Sequence, residues 1–326
     1  MGGRILVTGG AGYLGGALVA ELVGNGEAVT VMAGPDDPAP QPGGWGRDVE
    51  VVRADVTAAA SVDAAMRGIS HVYHLAGIAS PNSRLAHSIW NVNVLGAYHV
   101  AQSALRHGVQ RVVHVSSTAA IGYPPDDVVA DEQFDVRNSV LDNVYAATKR
   151  TGERVMLDFG QDGLDVVVVN PAAVFAPASG PTRSWQGLLV AARRGLLRAV
   201  PSGGTAVCSA RDFVIGATAA MVKGGSGERY ILSSANLSYR RIAELLVEAV
   251  GRKHRVRTLP MGLFRAAGAG NRVVRDLTAT ARHDDALVPE NVELMARHVY
   301  YTSGKAEREL GIPQMSASEL ITEFTR

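Results

Sequence analysis

The chain predicts an α/β fold: a doubly wound parallel sheet covered by helices on both faces, followed by a smaller, mainly helical lobe. Three observations carry this. Short apolar runs alternate with helical patterns through the first half, as a parallel sheet buried on both faces requires. The first of those runs leads straight into a glycine-rich turn and a helix. After Asn170-Pro171 the alternation stops, Pro, Gly and Ser become frequent through 171–184, and helical patterns take over.

Taken in order, strands are expected near 4–8, 27–32, 49–53, 71–76, 111–116 and 164–170, with helices at 13–23, 61–67, 84–107 and 143–159 between them. The loop Gly34 to Gly46 is the one low-complexity stretch, rich in Pro, Gly and Asp. Beyond it all, Trp185 to Val200 reads as a basic amphipathic helix over a substrate cleft. A strand at Glu228–Leu232 precedes a helix at 238–250 that starts after the cap residue Ser238. Helices near 261–282, 289–298, 304–310 and 316–325 complete the smaller lobe. Residues 1–170, rejoined by 211–234, are expected to form the sheet domain, and 171–210 with 235–326 the substrate lobe.

Bulk properties exclude several classes. At 326 residues with 47% hydrophobic and 19% charged side chains the chain can bury a full core. A net charge of +1 and the lack of a long basic run give no footprint for nucleic acid or an anionic membrane. The single cysteine, Cys208, excludes an intrachain disulfide and a cysteine metal cluster, and reads as a small buried hydrophobe. No leader precedes the first strand and no 18-residue uncharged apolar stretch follows, so a cytoplasmic protein is expected.

The run Thr8-Gly9-Gly10-Ala11-Gly12-Tyr13-Leu14-Gly15 carries the first chemistry. Gly9 permits the tight turn, Gly12 lets the backbone approach a pyrophosphate, and Gly15 allows close packing of helix on strand. An anion then sits on the helix N-terminus, where free N–H groups and the helix dipole favour negative charge. This is the dinucleotide-binding (Rossmann) arrangement; a tight turn made for structural reasons alone would look similar. Tyr145 and Lys149 lie four apart on one helix face, where an ammonium and a nicotinamide cation would stabilise a phenolate. By spacing alone they are an ordinary Tyr and Lys. Ser116-Ser117 ends the strand at 111–116, placing a hydroxyl where a substrate carbonyl would lie. Asn93 stands inside a predicted helix despite its poor propensity, for a functional reason or for capping and packing.

With the glycine run, the Ala76-Gly77 strand end, Ser117 and Tyr-x-x-x-Lys in this order, the chain resembles the extended short-chain dehydrogenase/reductases, also called the NAD-dependent epimerase/dehydratase family. The resemblance covers almost the whole chain. It implies a tetrad of Asn93, Ser117, Tyr145 and Lys149: Tyr145 as acid/base, Ser117 polarising the substrate oxygen, Lys149 binding nicotinamide ribose while lowering the Tyr145 pKa, and Asn93 supporting a relay water. It further implies that Gly9, Gly12, Tyr13, Leu14 and Gly15 hold the pyrophosphate, and that Asp55-Val56 contacts adenine. His74-Leu75-Ala76-Gly77 would line ribose and phosphates beside Ser116, and Pro171 to Val174 would approach the carboxamide. Val56 and Leu75 would be buried either way. A homodimer through the helices at 84–107 and 143–159 is implied as well.

Asn170-Pro171-Ala172-Ala173-Val174-Phe175-Ala176-Pro177 is similar to the Asn-Pro-x-x-Val-x-Gly-Pro segment of dihydroflavonol-reductase-like and hydroxysteroid-dehydrogenase-like members, with Ala176 in place of glycine. Gly227 to Leu232, followed by Asn236-Leu237-Ser238-Tyr239, resembles the same branch, which includes hopanoid-associated sugar-epimerase-like proteins. Arg211-Asp212-Phe213-Val214 resembles a diphosphate-contacting segment of the sugar enzymes, but Ile215-Gly216-Ala217-Thr218 departs from it, so Arg211 is equally a salt-bridge residue. Thr118-Ala119 after Ser117 supplies no acid to expel a hydroxyl, which disfavours a 4,6-dehydratase. The expected activity is NAD(P)-dependent interconversion of a ketone and a secondary alcohol on a small molecule. The alternatives are a nucleotide-sugar epimerase and a non-catalytic cofactor-binding regulator. Ala33-Gly34 offers neither acid nor arginine at the end of the second strand, and Asp36 or Asp37 gives a lean toward NAD over NADP. No metal is expected.

Overall fold

The computed structural model describes residues 3–35, 37, 45, 49–176, 185–260, 262–263, 289–313 and 315–325. In chain order the first half forms β1 (Arg4–Thr8), α1 (Tyr13–Gly24), β2 (Ala28–Ala33), β3 (Glu50–Arg53), α2 (Ala59–Ala65), β4 (Ile69–His74), α3 (Ala86–Trp90), α4 (Gly96–Arg106), β5 (Arg111–Val115) and α5 (Thr118–Ile121). Then come β6 (Val129–Ala130), α6 (Val144–Gln161), β7 (Val166–Pro171), β8 (Ala173–Phe175), α7 (Gln186–Arg193), β9 (Ala199–Val200), β10 (Gly204–Ser209) and α8 (Ala210–Lys223). The rest comprises β11 (Arg229–Leu232), β12 (Ala235–Ser238), α9 (Tyr239–Ala249), β13 (Arg257–Thr258), α10 (Pro289–Leu294), β14 (His298–Tyr301), α11 (Gly304–Leu310) and α12 (Ala317–Thr325).

Seven parallel strands make the main sheet in the order β11-β7-β5-β4-β1-β2-β3. The reversal of direction falls between β4 and β1, so a crevice opens there at the carboxyl ends of the strands. Both faces are buried. Ile5, Val7, Val113 and Val167 pack with α1 and α8, whereas Leu6, Val72, Val112 and Val166 pack with α2, α4 and α6. That double burial is why β7 opens with four consecutive buried valines and shows no polar alternation. Side-chain caps fix the helix starts at α6 (Asn143), α8 (Ser209) and α9 (Ser238).

A second sheet runs in the order β12-β10-β14-β6, with β8 also paired to β10, so it joins Val129–Ala130 to strands from after residue 171. Several expected boundaries move. The expected strand at 71–76 is Ile69–His74, because Leu75 and Ala76 have already turned to meet Thr8. The expected helix 185–200 stops at Arg193 and its end joins β9, and that at 289–298 stops at Leu294 before β14. The helix expected over 84–107 is interrupted by a π-helical turn, Asn91–Leu95. The expected helix near 261–282 lies almost wholly outside the described residues, as do Asp36 and Pro177. Among the described residues no helix is long and apolar enough to cross a membrane, and no His, Cys, Asp and Glu group could hold a metal ion.

Candidate active site

The carboxyl edge of the main sheet sets the singled-out residues in a row. Pro171 ends β7, Ser116 and Ser117 follow β5, Leu75 to Gly77 follow β4, Gly9 follows β1, Gly34 follows β2, and Asp55 follows β3.

The glycine turn has the geometry its sequence calls for. Gly9 sits at φ 68°, a conformation that L side chains rarely adopt, and a Cβ on it would stand 2.8 Å from the Ala76 nitrogen. A Cβ on Gly15 would meet the Gly9 carbonyl oxygen at 2.2 Å, so α1 crosses the turn at backbone distance. Among the described residues only the Gly9 oxygen comes near a Cβ built on Gly12, at 3.1 Å, an open approach for a ligand. Gly12 also precedes α1 without a side-chain cap, and no acidic residue lies in the first turn at Tyr13, Leu14 and Gly15. Uncapped amides with an open approach fit a pyrophosphate. The Tyr13 hydroxyl turns away to grip Ala176, accepting from its nitrogen and donating to its oxygen at 2.5 Å each, and burial pushes that phenol up to about 12.

At the adenosine end, the Asp37 carboxylate accepts from the Gly34 nitrogen at 2.8 Å. A Cβ on Gly34 would lie 3.3 to 3.7 Å from the Asp37 carboxylate atoms, so Asp37 fills the space where a strand-end side chain would project. Arg53 donates to the carbonyls of Gly34 and Asp37 at 2.8 and 2.6 Å. Asp55 is occupied in a local turn, accepting from the nitrogen and hydroxyl of Thr57 at 2.8 Å. Val56 is buried against the backbone of Gly96, a packing position.

The other half gathers the four polar side chains. Tyr145 is in the first turn of α6, half-buried, with its side chain beside Ser117. Burial raises its pKa and the neighbouring Ser117 partly offsets that, so the group is a neutral phenol ready to donate. One turn on, Lys149 is buried and donates to the Val115 carbonyl at 2.7 Å; burial pulls its pKa down to about 8, against the opposing field of Glu153. The expected lowering of the Tyr145 pKa by this ammonium is not seen: burial raises it, and the opposing influence comes from Ser117.

Asn93 sits in the π turn, whose extra residue turns the amide onto the β4 exit. Its Oδ1 accepts from the Ile78 nitrogen at 2.8 Å, and its Nδ2 donates to the Ile78 carbonyl at 3.1 Å and to the Thr148 hydroxyl at 3.2 Å. Gly77 lies over both groups, since a Cβ there would stand 3.2 Å from Asn93 Oδ1 and 3.7 Å from Lys149 Nζ. Ser116 is buried, and among the described residues its hydroxyl has no hydrogen-bond partner. Pro171 is buried and Val174 half-buried at the crossing between sheets.

Further buried polar groups support the site from within, among them Glu153, which the sequence did not single out. Thr8 Oγ1 holds His74 Nδ1 at 2.7 Å and accepts from the Ala76 nitrogen at 3.2 Å, tying β1 to the β4 exit. Asn170 Nδ2 donates to the Ser117 carbonyl at 3.0 Å and to Glu153 at 2.8 Å, and Arg229 pairs with the other Glu153 oxygen at 3.1 Å. Four-residue spacing from Lys149 was the available signal for Glu153.

The model of the NAD dependent epimerase/dehydratase family matches residues 5–233, the span that holds all of these groups. The chain belongs to this family. It is thereby an NAD(P)-dependent oxidoreductase of the extended short-chain dehydrogenase/reductase type. Among its relatives is sterol demethylase protein B of Methylococcus capsulatus, 31% identical over 76% of this chain and 74% of that protein. The 4-hydroxy-2-methyl-3-oxo-4-farnesyl-3,4-dihydroquinoline-1-oxide ketoreductase of Stigmatella aurantiaca is 29% identical over 94% of this chain and 91% of that one. The fold is shared with a dTDP-glucose 4,6-dehydratase from Streptomyces venezuelae crystallised with NAD, at a TM-score of 0.77, 22% identity and coverage of 99% and 95%.

Proposed function

We propose that this family member interconverts a ketone and a secondary alcohol on a small molecule. The observation that carries the reading is the half-exposed Tyr145–Ser117 hydroxyl pair, one helical turn from a buried Lys149. In the reductive direction Ser117 holds the carbonyl oxygen, and Tyr145 donates its proton to that oxygen as the C=O bond becomes C–OH. A nicotinamide held on the carboxyl edge of the sheet beside Lys149 would supply or accept the hydride at the carbon. Lys149 stabilises the phenolate that Tyr145 leaves behind, and Asn93 holds the β4 exit beside Lys149 through Ile78. The buried α5 brings only Thr118 and Ala119 behind Ser117, so the site has no acid there to expel a hydroxyl.

The Asp37 carboxylate at the end of β2 suits a ribose 2′-hydroxyl and repels a 2′-phosphate, so NAD is the preferred cofactor, even with Arg53 at the same edge. The test is a panel of ketones with NADH and with NADPH, beside UDP- and dTDP-sugars. Consumption of NADH in preference to NADPH with a ketone is expected, with Asp37→Asn narrowing that preference. Sugar inversion without cofactor consumption would establish the epimerase reading instead.

Two copies are proposed to pair through the α3–α4 segment, where Trp90, Tyr98 and Leu105 leave apolar area exposed. Sedimentation at assay concentration should give a dimer; a monomer refutes it.

A further inference from the structure

Tyr145, Lys149 and Glu153 recur at four-residue intervals on α6 and form a single inward stripe. The third member is a carboxylate in the interior, 4% exposed, and its bonds lead back to the site. One oxygen accepts from Asn170 Nδ2 at 2.8 Å, and that same nitrogen donates to the Ser117 carbonyl at 3.0 Å. The other accepts from Arg229 at 3.1 Å. Arg229 is 32% exposed and also donates to the Glu132 carbonyl, so the pair closes toward solvent. The end of β5 is thus held twice by the stripe: Lys149 grips the Val115 carbonyl, and Glu153 reaches the Ser117 carbonyl through the Asn170 amide.

We propose that Glu153 is a positioning residue of the catalytic site, fixing the Ser117 backbone through Asn170 and sustaining the positive charge of Lys149. This rests on the reaction proposed above. A buried carboxylate left in the core is costly unless paired, and this one is paired with an amide and a guanidinium. The groups facing Lys149 are Tyr145 and Glu153 on α6, His74 on β4 and His114 on β5. Burial holds both histidines far below the ordinary imidazole range, so they are neutral and add no anion. Glu153 is the carboxylate whose field acts on Lys149, and it favours the charged amine. The same logic gives Asn170 an inward task, with its Nδ2 spent on Ser117 and Glu153.

The chain contains four lysines, Lys149, Lys223, Lys253 and Lys305, so the Cε resonances of 13C-labelled lysine can be followed through a pH titration of the whole enzyme. In Glu153→Gln the midpoint of Lys149 should move to lower pH by roughly one unit, because an opposing charge is removed from a buried ammonium. The alkaline fall of kcat for ketone reduction should move with it. In Asn170→Ala the midpoint should stay, while kcat drops about tenfold from a displaced Ser117, the effect of one lost hydrogen bond near a charge. If Glu153→Gln fails to fold, the charge-neutral pair Glu153→Gln with Arg229→Gln carries the same titration. An unchanged Lys149 midpoint, or wild-type kcat in Asn170→Ala, overturns the proposal. A wild-type enzyme inert toward every ketone would instead overturn the reaction, and the lysine titration would then decide for Glu153 by itself.

Discussion

Tyr145→Phe should lower ketone reduction by about a thousandfold while leaving cofactor affinity near wild type, the range expected when a positioned general acid is removed. The substitution deletes one oxygen and keeps the ring. Ser117, which loses that partner, still accepts from the Ala119 nitrogen at 3.2 Å, so no polar group is stranded and the fold has no reason to change. Asn143, which caps α6 two residues earlier, is untouched and still donates to the Tyr123 hydroxyl at 3.1 Å. The loss should therefore fall on the chemical step, with substrate KM changing little. Single-turnover rates with bound NADH measure it, and cofactor fluorescence titration checks binding. Activity close to wild type would mean that another group supplies the proton. Retained biological activity without turnover would favour a cofactor-binding regulator.

Ser117→Ala is a weaker perturbation for a physical reason, because the phenol itself remains and water can replace the lost hydroxyl. Position matters more than the hydroxyl count. Ser117 caps α5 and its backbone is clamped by Asn170, so the proton donor works against an oxygen held between two fixed groups.

How far the sequence revealed this depends on the range of the interactions concerned. The main-sheet strands were legible because burial on both faces leaves continuous apolar runs such as Ile5-Leu6-Val7 and Val166 to Val169, bounded by turn residues. The strand β4 is displaced by two residues from the expected 71–76, since the polar Ser70 interrupts the apolar run after Ile69. The second sheet left almost no trace. Its central strand β10, Gly-Thr-Ala-Val-Cys-Ser, has no apolar alternation, and its partners come from residues 173–175, 235–238 and 298–301. There Gly204 is selected by distant backbone: a Cβ would stand 2.6 Å from the Leu237 oxygen and the Tyr300 hydroxyl.

Within the site, local spacing exposed Tyr145, Lys149 and the glycine turn. Asn93 was noticed through its poor helix propensity, but its bonds to Ile78 and Thr148, 15 and 55 residues away, could not be read from the chain. The inward direction of Asn170 was equally hidden, since alternation along β7 assigns a face without naming the partner on it.

Gly15→Ala should weaken cofactor binding at least tenfold and destabilise the enzyme by about 2 kcal/mol, whereas Gly16→Ala, one residue on, should do neither. The contrast comes from what each Cβ meets. At Gly15 the new carbon would lie 2.2 Å from the Gly9 oxygen and 2.6 Å from the Gly10 Cα, both backbone atoms of the turn itself. They cannot step aside by rotating a side chain, so α1 must lift away from β1. Gly9 is constrained on the other side, because its own α-carbon faces the Ala76 backbone and its nitrogen donates to the Met32 carbonyl at 3.1 Å. Lifting α1 moves the uncapped amides after Gly12 off the line a pyrophosphate would take, and the anion loses aligned donors along with the helix dipole. At Gly16 the nearest atoms among the described residues would be 3.8 and 3.9 Å away, ordinary contact, and alanine in a helix interior gains up to about 1 kcal/mol over glycine. Cofactor fluorescence titration and thermal unfolding of the two variants side by side measure both effects. Equal affinities would show that the helix N-terminus at Gly12 is not where the phosphates are held.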